Sequence, residues 1–265
     1  MQVLSGSGVF VKRFDRYGES RMKHYAHRDD YYIVTMLTDG SAPVEIDFER
    51  KELSSGDVLI ISPWQVHNKP EDVTWHADGW MLAFAPEMLS ESETRAIEEY
   101  SISPHPFHPD GSIVEDVVTL CGMLERYSDD RNVSFALASA VKSLIFSALD
   151  TPGQASSVRY RAIVLKLRRL LDAHMSHEKS PAVYASMLSI SEVYLNEAVK
   201  AVTGLSAGAY IRNIVMTQAK RQLAYTSLSS KEIAYTLGYE DYAYFSRLFR
   251  KQVGKSPSEY RKNLR

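Results

Sequence analysis

The sequence predicts an α+β protein of two domains, an N-terminal antiparallel β-barrel with two following helices and a C-terminal domain made only of helices. Segments of strand character end near residue 85, and helical patterns follow from about residue 112. The charge is divided as well. Residues 1–157 contain 13 Lys and Arg against 25 Asp and Glu, a net −12, whereas residues 158–265 contain 18 against 8, a net +10. An acidic half joined to a basic half indicates a polyanionic partner for the C-terminal half alone.

Short strands separated by turn residues account for the first 85 residues. One run is aromatic and β-branched and ends at a predicted turn, Asp39-Gly40, and a second alternates between apolar and charged side chains. A third run is apolar throughout, as in a buried strand, and the last is closed by Pro86. Their predicted positions are 31–37, 44–48, 58–61 and 80–84. Short strands at this spacing predict an antiparallel barrel or sandwich.

Two amphipathic helices are predicted after the strands, at about 112–127 and 133–149. The second carries few charges, so the helices can cover one end of the barrel and offer an apolar face to a second subunit. Small polar residues with Pro and Gly follow and predict a linker. The predicted domains are a barrel over 1–105, a helical dimerisation segment over 106–150, a linker over 151–157 and a helical domain over 158–265.

The helical domain contains a sequence duplication with an interval of about fifty residues. Five matches share a shift of 50, namely Leu195 with Phe245, Val199 with Phe249, Gly204 with Gly254, Ser206 with Ser256 and Tyr210 with Tyr260. Ala185 matches Ala234 at a shift of 49, so the second copy has one extra residue in its turn. Each copy has the pattern of a short helix, a tight turn and a longer helix. That is the layout of a helix-turn-helix unit, whose second helix enters the major groove of DNA.

The second copy predicts a helix that begins near Asp241 and has one buried and one exposed side. Phe245, Leu248 and Phe249 share the buried side. The opposite side carries the predicted base contacts, Tyr242, Ala243, Ser246 and Arg247. Arg247 is the predicted principal base reader, because its planar guanidinium suits guanine in the major groove. Cations next to this side are predicted to contact phosphates, which gives affinity without sequence information, and they are Arg250, Lys251 and Lys255.

The same alignment assigns groove-facing positions to the first copy, and these are Val193, Asn196, Glu197 and Lys200. Asn196 suits adenine, and Glu197 can accept a hydrogen bond from a cytosine amino group. A carboxylate facing phosphates opposes binding, however, so two interpretations stay open. Either Glu197 selects a base, or the first copy docks loosely and leaves most of the readout to the second. Ser180 and Ser191, at the starts of the two helices of this copy, are predicted phosphate contacts.

The segments GYEDYAYFSRLFRK at 238–251 and GKSPSEYR at 254–261 resemble the signature of the AraC/XylS family of bacterial transcriptional regulators. The resemblance extends over about 160–265. It implies two helix-turn-helix units joined by a long helix, here about 207–226, that read successive major grooves on one face of DNA. Family members often have a basic or aromatic residue where this chain has Glu197. This difference from the family leaves the role of the first copy in DNA binding open.

The segment from His27 to His67 is similar to the cupin-type sensory barrel that often precedes this DNA-binding domain. The resemblance is carried by 27–32 and 56–67. It implies a pocket for a small effector inside the barrel and dimerisation through the two following helices. Residues predicted from type and position to line the pocket are Tyr32, Trp64, His67, Trp75 and Trp80. An ordinary place in the core is the alternative for these aromatic residues, and it is slightly favoured.

A metal centre is an alternative interpretation of the histidines near the barrel. The candidate ligands are His24, His27, His67 and His76. Cupin enzymes have a His-x-His pair followed shortly by Glu, and the sequence lacks this pattern. Histidines that are hydrogen-bonded within the barrel are therefore favoured, and neither a metal nor another cofactor is predicted.

These patterns together predict a cytoplasmic, homodimeric transcription factor that binds promoter or operator DNA, responds to a small molecule and catalyses no reaction. RNA polymerase is a further predicted partner, and the sign of control is left open. The single cysteine, Cys121, has helical spacing among apolar residues and is predicted to be a buried packing thiol in a reducing compartment. No secretion signal or membrane-spanning segment is predicted. The alternatives are a regulator whose barrel only dimerises and a metal-dependent cupin enzyme.

Overall fold

The computed structural model describes residues 8–15, 27–70, 76–102, 104–149 and 155–264. The chain forms two compact units, an N-terminal unit, Met1–Pro152, and a C-terminal unit, Gly153–Arg265. The described strands all belong to the N-terminal unit together with three α-helices, and the C-terminal unit is helical. The predicted α+β class, with an antiparallel sheet followed by a helical domain, is confirmed.

One antiparallel sheet forms the framework of the N-terminal unit. Its strands are β1 (Val9–Phe14), β2 (Tyr32–Ile46), β3 (Glu49–Ser54), β4 (Val58–Ile61), β5 (His67–Asn68) and β6 (His76–Phe84). The order is β1-β6-β2-β3, and β4 and β5 also pair with the long strand β2. Among the described strands no pairing joins β1 to β3, so the closed barrel that the sequence predicts is not confirmed.

The turn predicted at Asp39-Gly40 is wrong, because β2 continues through both residues. Gly40 has a φ of +82°, and a Cβ there would lie 1.9 Å from the backbone oxygen of His76. The glycine therefore permits two strands to approach closely at an irregularity of the sheet, and it does not reverse the chain. The reversal occurs at Asp47 and Phe48, whose positive φ values form a two-residue hairpin turn between β2 and β3.

The two faces of the sheet bury different side chains, because neighbouring residues of a strand point to opposite faces. Val34 and Met36 lie on the face that α-helices cover, whereas Ile33 and Leu37 belong to a second apolar cluster. The covering helices are α1 (Glu91–Tyr100), α2 (Gly111–Arg126) and α3 (Arg131–Ser147). Cys121 of α2 is buried in the first cluster, as predicted.

The helix α1 was not predicted, although its start has a sequence signal. Ser90 and Glu93 form a capping box there, with each side chain hydrogen-bonded to the other residue's backbone amide. Glu93 also forms a buried ion pair with Lys142 of α3. The capping box and the ion pair together connect α1 to α3.

Seven α-helices form the described part of the C-terminal unit, and they are α4 (Ala155–His174), α5 (Pro181–Met187), α6 (Glu192–Thr203), α7 (Ala207–Tyr225), α8 (Ser230–Thr236), α9 (Tyr242–Val253) and α10 (Pro257–Asn263). The linker predicted over 151–157 is too long, because its last three residues begin α4. The rest of that linker lies outside the described residues. Across the described chain, no helix is long and apolar enough to cross a membrane.

Candidate nucleic-acid interface

Two helix pairs of the C-terminal unit have the same local structure. The short helices α5 and α8 have seven residues each and begin 49 residues apart. The longer helices α6 and α9 have twelve residues each and begin 50 residues apart. The extra residue of the second unit therefore lies in the turn before α9, as the sequence predicts. The pair α5–α6 is called the first unit below, and α8–α9 the second unit.

The turns of the two units contain equivalent backbone hydrogen bonds. In the first unit the Ile190 amide donates to the Ala185 carbonyl over 3.0 Å. In the second unit the Tyr239 amide donates to the Ala234 carbonyl over 2.9 Å. These four residues are related by the shift of 49 that the sequence shows. The two copies therefore share a backbone conformation as well as a sequence pattern.

A left-handed residue precedes each of these amides, and its identity differs between the units. Ser189 has a φ of +56° and Gly238 a φ of +74°. Gly238 also meets the backbone of another segment, since a Cβ there would lie 1.7 Å from the Ser176 carbonyl oxygen. Glycine is required in the second turn for space as well as for conformation.

The inner side of each longer helix supplies the core of its unit. Phe245 and Phe249 of α9 are fully buried and pack in one cluster with Ile233 of α8 and Leu237 of the turn. Leu195 and Val199 hold the equivalent positions of α6 and are fully buried too. Burial of these side chains fixes which side of each longer helix faces outward.

The outward side of α9 carries the predicted base contacts of the second unit. Ala243 and Arg247 are exposed, and Tyr242 and Ser246 are half-buried. Arg247 has no hydrogen bond or ion pair with the described residues. Its guanidinium is therefore available to an external acceptor, and the Lys251 and Lys255 side chains on the same part of the surface are exposed as well.

Arg250, a predicted phosphate contact, is held by a carboxylate of its own chain. Its guanidinium donates to both carboxylate oxygens of Glu259, over 2.9 and 2.8 Å. Glu259 also forms a capping box with Ser256 at the start of α10. The Ser256 hydroxyl and amide, followed by Arg250, lower the pKa of the Glu259 carboxyl to about 2. Glu259 therefore stays ionised and reduces the positive charge that Arg250 presents to a phosphate.

The outward side of α6 is chemically different from that of α9. Val193, Glu197 and Lys200 are exposed, and the Val193 side chain has 70% of its surface accessible. Asn196 is engaged within the protein, because its Oδ1 accepts a hydrogen bond of 3.0 Å from the Ala207 amide at the start of α7. The Asn196 carboxamide oxygen therefore stabilises the connecting helix, a role that the sequence analysis missed.

The two serines predicted to contact phosphates lie at helix starts, as expected. Ser191 caps α6, with its hydroxyl oxygen accepting from the Tyr194 amide over 3.1 Å. Ser180 precedes α5, where Pro181 occupies the first turn, but its side chain makes no capping hydrogen bond.

The structure does not assemble the predicted effector pocket from its described members. Tyr32 and Trp80 pack in the cluster beneath the helices, and His67 contacts His27 instead. The Trp64 side chain is 55% exposed. Trp75 lies outside the described residues, as does the candidate metal ligand His24. Side-chain alternation along β2 explains the outcome, since it directs Tyr32 to the helix-covered face.

Comparisons with known proteins point in the same direction as the geometry. A family model described as a helix-turn-helix domain matches residues 184–263. The HTH-type transcriptional activator RhaS of Salmonella schwarzengrund (strain CVM19633) is 29% identical over 249 residues, with 89% of this chain and 86% of the relative covered. RhaS of Salmonella typhimurium (strain LT2) has the same identity and coverage.

A solved structure of similar extent is that of ToxT from Vibrio cholerae O395. It is 16% identical to this chain and covers 97% of each chain, with a TM-score of 0.43.

Proposed function

We propose that this chain is a DNA-binding transcriptional regulator of the AraC/XylS family rather than an enzyme, and that α9 is its principal sequence-reading helix. The observation that carries the proposal is Arg247. Its guanidinium is exposed on the outward side of α9 and has no partner among the described residues. An arginine at that position can donate two parallel hydrogen bonds to guanine O6 and N7, worth roughly 1–3 kcal/mol of discrimination.

The second contribution to binding is electrostatic. Lys251 and Lys255 are exposed beyond the base-reading side of α9. Cations in such positions neutralise phosphates and release counterions, so they strengthen binding to every sequence. The net charge of +10 over 158–265 supports this role for the whole C-terminal unit.

We propose that the first unit makes fewer contacts with DNA than the second unit. Val193 is an apolar side chain that the fold leaves exposed, and it suits the methyl group of thymine. Lys200 suits a phosphate. Asn196 has its oxygen committed to the Ala207 amide, so it lacks the acceptor that a two-bond contact with adenine needs. Glu197 is exposed and forms no ion pair with the described residues, and we propose that it weakens docking rather than selecting a base.

The connecting helix α7 has a length that suits two adjacent grooves. Its 19 residues correspond to a helix of about 28 Å. Successive turns of the major groove on one face of DNA are about 34 Å apart. We therefore propose that the two units occupy neighbouring major-groove segments on the same face of the duplex.

We further propose that the N-terminal unit dimerises and binds a small effector, and that the protein acts in the cytoplasm. Support for dimerisation comes from α3, where the Phe135 side chain is 50% exposed. Activation of transcription with RNA polymerase as partner is proposed because RhaS is named as an activator. A Phe135→Glu variant should shift the full chain from dimer to monomer in sedimentation, and an unchanged dimer would contradict this use of α3.

Selection from a pool of random duplexes tests the DNA-reading proposal. The full chain is incubated with the pool, and bound duplexes are sequenced. Two sequence blocks about one helical turn apart are expected, with a guanine in the more strongly selected block. The Arg247→Ala chain should lose the preference at that guanine and keep the rest of the motif. Recovery of the same motif with the same strength by this variant would refute α9 as the principal reader.

A further inference from the structure

Two histidines and an aspartate of the N-terminal unit converge at one point, away from the DNA-binding helices in sequence. The Oδ2 atom of Asp29 lies 3.7 Å from His27 Nε2 and 3.4 Å from His67 Nε2. One ligand atom from each of the three residues lies within 4.8 Å of the other two. We propose that His27, Asp29 and His67 bind one divalent transition-metal ion. The proposal does not depend on how the C-terminal unit reads DNA.

The backbone holds the two histidines side by side. The His27 amide donates to the His67 carbonyl over 3.0 Å, and the His67 amide donates to the His27 carbonyl over 2.9 Å. Such a reciprocal pair places both side chains on the same face, and the imidazole centroids are 4.3 Å apart. His67 is also paired with Ile46 of β2, so the sheet fixes its position.

The aspartate is positioned from the same segment as the first histidine. His27 and Asp29 are two residues apart, a spacing that brings side chains to one side of an extended chain. The Asp29 carbonyl accepts a hydrogen bond of 2.8 Å from the Trp64 amide, which connects it to the segment just before His67. Backbone hydrogen bonds therefore hold the main chain of all three residues in place.

The hydrogen bonding of His67 leaves a lone pair directed at the aspartate. Its Nδ1 lies 3.1 Å from the Gln65 carbonyl oxygen, and a carbonyl can only accept, so Nδ1 carries the hydrogen. In the neutral ring Nε2 then has no hydrogen and faces an Asp29 oxygen. A cation between these two acceptors removes their repulsion. A backbone carbonyl on the other ring nitrogen is the usual outer partner of a metal-binding histidine.

The surroundings are suited to retaining an ion. The side chains of His27, Asp29 and His67 are 17%, 16% and 3% exposed. The Tyr31 side chain also forms a hydrogen bond with Asp29. The Tyr31 hydroxyl donates this hydrogen bond and so orients the carboxylate.

The ligand set indicates the class of metal. Two imidazole nitrogens and one carboxylate oxygen suit Zn²⁺, Co²⁺, Ni²⁺ or Fe²⁺, whereas Mg²⁺ and Ca²⁺ prefer oxygen ligands alone. Ligand bonds of about 2.0–2.1 Å place tetrahedral ligand atoms roughly 3.3 Å apart. The 3.4 and 3.7 Å separations require a contraction of tenths of an ångström. Three protein ligands leave at least one coordination position for water or an external ligand.

This proposal differs from the expectation that the histidines serve only as hydrogen-bonding residues. That expectation was based on the absence of a His-x-His pair followed by Glu. The structure supplies an aspartate two residues after His27 in place of a second histidine. His76, another sequence candidate, is exposed at the start of β6 and is not a member of the group.

Titration of the untagged full chain with Co²⁺ tests the site, because four- or five-coordinate Co²⁺ absorbs visible light and Zn²⁺ can displace it. The chain should bind one equivalent. Removal of the outer hydroxyl by Tyr31→Phe should weaken binding roughly 10–100-fold. Loss of a ligand by His27→Gln or Asp29→Asn should weaken it by more than about 100-fold. His76→Gln is the matched histidine control and should bind as the parent does.

Thermal melting without metal establishes that each variant is folded, and Zn²⁺ should raise the melting temperature of the parent and of His76→Gln by more than that of the other variants. The same affinity for Co²⁺ in Asp29→Asn and the parent would overturn the proposal. So would a parent chain that binds no Co²⁺, in which case a direct contact between His67 and Asp29 accounts for the geometry.

Discussion

The two helix-turn-helix units have the same backbone design and different outward surfaces. Their turns share a left-handed residue and an equivalent hydrogen bond, and their cores share the buried positions at a shift of 50. At the outward positions the second unit has Arg247 where the first has Glu197. Duplication has thus retained what folding needs, and the outward side chains have diverged.

The largest difference is expected at the left-handed residue of each turn. Gly238→Ala places a Cβ against the Ser176 carbonyl oxygen and should destabilise the C-terminal unit by more than about 3 kcal/mol. Ser189→Ala creates the same residue in the first unit and should cost less than about 1 kcal/mol, because the backbone already accommodates a Cβ there. Hydrogen exchange of the backbone amides in each unit measures the loss of stability that each substitution causes. Equal protection losses would show that the turns are equally constrained.

The next difference concerns recognition of bases. Arg247→Ala should lose roughly 1–3 kcal/mol of discrimination at one base pair. Glu197→Ala should instead tighten binding to all sequences by a few-fold, because it removes a carboxylate from a surface that approaches phosphates. Binding titrations against a panel of single-base operator variants distinguish the two patterns. A preference lost at one base pair in Glu197→Ala would assign base selection to the first unit.

Asn196 and Ser246 hold equivalent positions but differ in their internal contacts. Asn196→Ala removes the acceptor for the Ala207 amide at the start of α7 and should cost about 1 kcal/mol of stability. Ser246→Ala removes no hydrogen bond to the described residues and should change stability by less than about 0.5 kcal/mol. Denaturant unfolding followed by circular dichroism compares them. A larger effect of the serine substitution would refute the structural role assigned to Asn196.

Two cations of the second unit should differ in their contribution to affinity. Lys255→Ala should weaken binding to specific and random DNA alike and reduce the dependence of log affinity on log salt by about 0.9. Arg250→Ala should reduce that slope less, because Glu259 already holds its guanidinium. Binding measured over a range of salt concentrations gives both slopes. A greater loss of slope in Arg250→Ala would mean that the ion pair opens on DNA.

The smallest expected difference between the two units is the change in stability at acidic pH. The folded pKa of Glu259 is lowered to about 2, so its capping contribution is present above the ordinary carboxyl pKa and is lost as the pH falls through the folded value. Ser206 caps α7 without a glutamate at the equivalent position, which is Ala209. The melting temperature of Glu259→Gln should therefore approach that of the parent as the pH is lowered. A difference in melting temperature between the two chains that does not change with pH would exclude Glu259 as a source of acid sensitivity.

Sequence patterns predicted the parts of the structure that local chemistry determines. The shifts of 49 and 50 placed the turns, the caps and the extra residue before α9 correctly, since each depends on residues close in the chain. The role of Asn196 was missed because its partner is eleven residues away, beyond α6. At Gly40 the composition suggested a turn, but a close approach to β6 decides the conformation. The His27, Asp29 and His67 group needed the pairing of distant segments.

The hydrogen bond from Ala207 to Asn196 has a consequence for the evolution of operator preference. A side chain that secures the connecting helix cannot be exchanged without a penalty to folding, so position 196 is a poor place to acquire new base preferences. The side chains at positions 193 and 247 are exposed and form no hydrogen bond to the described residues, so they can be exchanged without this penalty. Divergence of target sites among descendants of this chain is therefore expected to proceed through those positions, with the asparagine retained.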